Sequence, residues 1–253
     1  MAADKNQTDL RLTGRNPGAP VAALLFDAAV RPSAQDLAAL SQASGAFAVT
    51  HRDDGAGQVE LLRDGLLFDC LGLGPHAPLH ITTPMQRVGL PGDFVPGDLA
   101  LLTLSPGVQL TGAEQLLPVV RVLAGLVTVL AALSGVRAVA WLPARLAMSP
   151  AWFAEAIGAW LRGGPFPALA LTGLVRCETG LASQGLAYFV GQEFVFATRD
   201  GVLAENDARA AVRLTDWLVA HGRVDSPCRA ELTGFGTVLI IPDGPDRLLV
   251  RAL

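Results

Sequence analysis

Val59-Glu-Leu-Leu-Arg-Asp-Gly-Leu-Leu-Phe-Asp-Cys-Leu71 decides the fold class. Asp64-Gly65 separates two apolar runs. Both turn positions tolerate positive φ, so the pair predicts a tight hairpin between antiparallel strands. A hairpin here argues against a purely parallel, doubly wound sheet, which needs a crossover between neighbouring strands.

Upstream, Val21-Ala-Ala-Leu-Leu-Phe26 reads as a buried strand. Pro32-Ser33 opens a helix, with Ser33 as N-cap and Asp36 at the positive end. Leu37 and Leu40 form its buried face and Gly45 stops it. Phe47 and Val49 resume an extended pattern. The first third is therefore β-α-β followed by the hairpin.

Residues 72–97 are rich in Gly and Pro. They predict a long surface connection, with a short strand at Leu79 to Thr82, and supply the best candidate boundary between two halves. Leu99 to Leu104 is the next strand. Thr111-Gly-Ala-Glu114 matches a capping box. Leu116, Val119, Val120, Leu123, Leu126, Val127, Leu130 and Leu133 then recur at helical spacing. Pro118 clashes with a regular helix started at Thr111, so the helix is either kinked or begins nearer Gln115. Val136 to Leu142 is a strand, and Ser149-Pro150 starts another helix.

Ala168 to Val175 reads as a strand. Glu178-Thr-Gly180 turns the chain towards Leu186 to Val190, and Glu193 to Ala197 extends it. Asn206 caps a helix to His221, and a closing hairpin surrounds Pro242-Asp-Gly244. The expected architecture is α+β, with a mixed and mainly antiparallel sheet and helices on one face. The doubly wound sheet is the alternative, because strands and helices alternate regularly from Leu99 to Val175. Val21 to Thr50 and Leu99 to Trp141 echo one another as β-α-β units, which suggests two ferredoxin-like halves sharing one layered core. The domain reading is a flexible tail at 1–18 and one domain at 19–253, divisible into 19–96 and 97–253.

Composition bounds the function. Of 253 residues, 51% are hydrophobic and 17% charged, enough for a core and far from the disordered class. A net charge of −4 without basic runs argues against a nucleic-acid partner. Three scattered cysteines suit a reducing compartment, and the polar start lacks a secretory core, so the expected location is the cytoplasm. Leu116 to Leu142 is apolar enough to raise a membrane span. Arg121, Arg137 and Pro143 argue instead for a buried helix and strand, since an arginine at mid-bilayer costs roughly 2.5–3.5 kcal/mol.

In the second half, Val136-Arg-Ala-Val-Ala-Trp141, Ser149-Pro-Ala-Trp-Phe153, Pro165-Phe-Pro167 and Ser183-Gln-Gly-Leu-Ala-Tyr-Phe189 with Glu193 form an ordered set of phrases. They resemble an uncharacterised bacterial family, domain of unknown function 4261. Ser183 stands where that family's phrase has Thr, and its glycine after Phe is displaced to Gly191. The resemblance implies an α+β domain and carries no catalytic residues.

Chemical motifs are sparse. The chain has no phosphate-binding P-loop, no nucleophile elbow and no His-Glu-x-x-His. His76 and His80 share metal-like spacing, but Pro75 and Pro78 make the segment a loop rather than a helix. Cys177 would need a lowered pKa and a base, with His221 or His51 reachable only through tertiary contact. Cys70 reads as a core thiol. Asp53-Asp54 reads as a turn and Glu205-Asn206-Asp207 as a helix start. The loop between Trp141 and Met148 follows a strand and precedes a helix, a position ligands favour. Trp141, Arg145 and Met148 are its candidate interaction residues, against core packing of Trp141 and Met148. The expectation is a non-enzymatic binding protein with a protein partner and no cofactor, metal, nucleic acid or membrane. The alternative is a hydrolase-like enzyme using Cys177 or the His76/His80 loop.

Overall fold

The computed structural model describes residues 18–81, 83–198 and 204–253. The expected tail therefore lies outside the described residues except for Gly18, as does Thr82 of the short strand expected after Leu79. The fold is α+β with two mixed, mainly antiparallel sheets. The described residues form two compact units, one of those up to 142 with 147–155, the other of 143–146 with those from 156 on. The division falls at the Trp141 to Met148 loop and inside the helix that follows, not at residues 72–97.

The first unit is built on strands β1 (Ala22–Phe26), β2 (Ala48–Asp53), β3 (Gln58–Arg63), β4 (Leu66–Leu71), β5 (Gln86–Val88), β6 (Ala100–Pro106), β7 (Val136–Trp141) and β8 (Leu146–Met148). Their order is β2-β3-β4-β6-β1-β7-β8-β5. The hairpin forms as expected. Asp64 and Gly65 have φ of 49° and 78°, the pair of positive values that a type I′ turn needs.

β1 runs antiparallel between β6 and β7. The two β-α-β units of the sequence therefore interleave in one sheet, as in a β-α-β-β-α-β arrangement, and share one core. Helix α1 (Ala34–Ser44) starts at Ser33, whose hydroxyl and amide exchange hydrogen bonds with Asp36. Helix α2 (Leu117–Leu130) begins near Gln115, with Pro118 in its first turn. The capping box at Thr111 does not form, because the Thr111 hydroxyl donates to the Val108 carbonyl. α2 packs on β1 and β4. Among the described residues no helix is long and apolar enough to cross a membrane.

Residues 72–97 run largely over the surface, as expected, but they also carry β5 and an apolar cover for the sheet. Leu79, Ile81, Met85, Leu90 and Phe94 pack with Ala23, Leu25, Leu99, Leu101, Ala138, Ala140 and Leu142 on one side of the sheet. Arg31 holds the segment by donating to the carbonyls of Gly72 and His76. Gly and Pro mark irregular backbone, but periodicity alone does not reveal irregular backbone that carries its own apolar cover.

Helix α3 (Pro150–Leu161) starts where Ser149-Pro150 predicts, with Ser149 Oγ accepting from the Trp152 amide. The second unit has strands β9 (Gly173–Cys177), β10 (Gly180–Gln184), β11 (Glu193–Ala197), β12 (Cys228–Leu232), β13 (Gly236–Pro242) and β14 (Arg247–Ala252). The order is β12-β13-β14-β11-β10-β9, and the pair β11–β14 is parallel. Two expected strands are partly helical. Residues 168–171 form the short helix α4 (Ala168–Leu171), and residues 187–190 form α5 (Ala187–Val190). Short apolar runs suit either state, and here Pro167 and the Thr172 hydroxyl, which donates to Ala168 O, favour a turn.

Helix α6 (Glu205–His221) starts one residue ahead of Asn206. Asp207 reaches back to the Ala204 amide at 2.8 Å, so Ala204 takes the cap position and Asn206 does not. α6 places Ala210, Ala211, Leu214 and Leu218 against Leu181, Phe194, Phe196, Val238, Ile240, Leu248 and Val250 on one face of the sheet. Burying each such leucine contributes about 1.5–3 kcal/mol, so this face anchors the unit.

Candidate functional site

Alternation along the strands leaves the second sheet with an opposite face. The register aligns Val175, Ala182, Val195, Leu249 and Ile241 in one row across five strands. A cleft of about 520 Å³ opens over part of this face. Cys177, Glu178, Thr179, Ala182, Ser183, Glu193, Phe194, Val195 and Arg247 line it.

Glu193 organises one wall. Its carboxylate accepts from the Gly185 amide at 2.7 Å, the Ala187 amide at 3.0 Å, the Leu186 amide at 3.3 Å and the Ser183 hydroxyl. Ser183 Oγ in turn accepts from the Phe194 amide at 2.8 Å. Sequence makes this possible in two ways. Gly185 takes φ of 85°, which turns successive amides inwards as an anion-binding concavity. Glu193 begins β11, across the sheet from the end of β10. Gly185 also lies so close to Ala144 that an added Cβ would sit 2.6 Å from Ala144 Cα. The phrase Ser183 to Phe189 with Glu193 is thus one clamped turn. The lone acid heading an apolar strand was the available signal for it, and sequence reasoning gave Glu193 no role.

The other wall is the β9–β10 hairpin. Cys177 is exposed, and its Sγ lies 3.7 Å from Thr179 Oγ1. Arg247 sits opposite Glu193 in the parallel pair and forms an exposed ion pair with Asp243 at 3.4 Å. The clamp occupies the Glu193 carboxylate with hydrogen bonds, and the cleft offers a mostly apolar floor with a polar rim. Such a surface can hold a side chain by shape.

Of the residues singled out by sequence, Cys177 lines the cleft and the others lie elsewhere. Trp141 and Met148 are fully buried at the ends of β7 and β8, and only Arg145, half-buried with φ of 51°, faces outward in the turn between them. His76 Nε2 bonds the Asp54 carbonyl at 2.7 Å and His80 Nδ1 bonds the Leu99 carbonyl at 3.0 Å. His221 stacks on Trp217 with ring centroids 4.0 Å apart. None of these histidines lines the cleft around Cys177. Asp53 Oδ1 accepts from the Gly55 and Ala56 amides as a turn residue. Cys70 is fully buried, and burial, reinforced by Asp69, pushes its thiol well above the usual range. Among the described residues no group of three His, Cys, Asp or Glu is placed to hold a metal ion.

No family model, no curated protein and no solved structure matches this chain.

Proposed function

We propose that the chain is a non-enzymatic binding protein of the cytoplasm that meets a protein partner through the second unit's cleft. The observation that supports this is the state of Glu193. The Glu193 carboxylate in the cleft wall is held by three backbone amides and a serine hydroxyl, an arrangement that stiffens a surface. A rigid, largely apolar concavity loses little freedom on binding. Three free thiols suit a reducing compartment. Ala182→Trp fills the cleft floor and tests the reading. Proteins that co-purify with the full chain should be lost while the melting temperature is kept. Retention of the same proteins by the filled variant overturns it.

One observation favours a second reading, a hydrolase with a thiol nucleophile: exposed Cys177 lines the same cleft. Iodoacetamide separates the two. Labelling of Cys177 much faster than of free glutathione supports the enzyme, and an ordinary rate supports the binding protein.

A further inference from the structure

Among the described residues, strand β9 is the outermost strand of its sheet and pairs with β10 alone. An edge strand turns alternate backbone N–H and C=O groups outward, and proteins guard such edges with charges, bulges or cover. Of the edge strands β2, β9 and β12, β9 carries the fewest exposed charges, Arg176 alone. At the far side of the same sheet, β12 exposes Arg229 and Glu231. In the first unit, β2 carries a register shift between Val49 and His51 and exposes His51, Arg52 and Asp53. β9 pairs without a break from Gly173–Gln184 to Cys177–Gly180. It exposes Val175, Arg176 and Cys177, with Val175 39% accessible.

The strand is also held ready. At one end of the hairpin the Thr198 amide donates to the Thr179 carbonyl at 3.0 Å, tying the turn to the chain beyond β11. At the other end the Glu193 clamp grips Ser183 and Gly185. Side chains alternate across β9. Leu174 packs towards α6 and Arg176 shares its side, while Val175 and Cys177 face the cleft side.

We infer that β9 receives an extended peptide segment of the partner as a seventh strand, its residues alternating apolar and acidic. The apolar side chains lie beside Val175 and Cys177 and reach the cleft. The acidic one lies across from Arg176. Backbone bonds supply affinity and the alternate side chains supply choice, as in strand addition generally. A second copy fits less well. Pairing β9 with itself about Val175 or Arg176 sets the two Arg176 side chains diagonal or opposite on one face, and like charges so placed repel.

The inference rests on the proposed binding role, and the test separates the two. Random displayed peptides of about ten residues are selected on the full chain, and an enriched peptide is synthesised. Alternating apolar and acidic peptides should emerge, and binding should slow hydrogen exchange at residues 173–177. Val175→Lys, which guards the edge, should weaken binding about tenfold or more, and Arg176→Glu should do the same and restore binding when the peptide's acid is changed to lysine. Both positions are exposed, and an unchanged melting temperature confirms the fold. Peptides that protect other residues, an unchanged affinity in both variants, or no enrichment at all overturn the strand addition. A dimer of the chain that Val175→Lys dissociates overturns it in favour of a second copy. The binding role itself stands or falls separately, on the Ala182→Trp result.

Discussion

The Glu193 carboxylate and the Gly185 amide meet at 2.7 Å, from the start of one strand to the turn that leaves its neighbour. This bond joins β10, α5 and β11 into one piece, and it forms the wall of the cleft. Charge-assisted bonds from backbone amides are roughly twice as strong as neutral ones. The pair therefore makes the first prediction.

Glu193→Ala should destabilise the chain by about 2–4 kcal/mol, because it strips partners from three amides and the Ser183 hydroxyl. Glu193→Gln should fall between, since one of its two terminal atoms no longer accepts. Urea unfolding measures both. A loss below half a kcal/mol for the alanine variant would mean that water replaces the clamp without penalty.

Gly185→Ala meets two obstacles. Its φ of 85° is left-handed, and the new Cβ would sit 2.6 Å from Ala144 Cα. Left-handed backbone costs about 1–2 kcal/mol, and overpacking adds about 1–3. Thermal melting should show a clear drop, larger than that of Gly45→Ala, where φ is also positive but the space is open.

Thiol titration should resolve the three cysteines in order. Exposed Cys177 reacts first. Cys228 follows more slowly, since partial burial raises its thiol pKa. Buried Cys70 reacts only on unfolding. Mass spectrometry of peptides after timed labelling gives the order, and early labelling of Cys70 would contradict its place in the core.

Two carboxylates predict opposite pH effects. Hydrogen bonds from the Ser33 amide and hydroxyl hold Asp36 below the usual range. Its contribution is present above the ordinary aspartate value and fades as pH falls through the lowered one. Ser33→Ala should thus cost about 1 kcal/mol at neutral pH and less in acid. Asp69 is shifted upward, first by burial, with Glu60 directly opposite adding to it. Its folded form binds protons more readily than the unfolded chain, so stability falls as pH rises from the ordinary value through the raised one. Asp69→Asn should accordingly help at neutral pH and lose that advantage in acid. Denaturant midpoints at matched pH values test both signs.

Local signals read well in the sequence. Ser33 with Asp36, Asp64-Gly65, and Ser149-Pro150 each specify their turn or cap within four residues, and each forms as expected. Strands β1, β6, β7 and β13 follow from apolar runs. Where a run was short, as at 168–171 and 187–190, periodicity could not separate helix from strand. The cleft was less legible. The thiol of Cys177 is visible in the sequence and lines the cleft, but Trp141 and Met148 lie in the core, because large apolar side chains beside a buried strand gain more from packing than from exposure.

On its own, then, the order of residues determined the hairpins, the helix caps, the apolar stripes and hence an α+β chain with a substantial core. Tertiary structure alone decided that Leu79, Ile81, Met85, Leu90 and Phe94 cover a sheet, that Glu193 closes on Ser183 and Gly185, and that β9 stands at the edge of its sheet. The reason is range. Caps and turns are satisfied by neighbours along the chain, whereas strand order and carboxylate partners depend on which distant apolar faces bury one another.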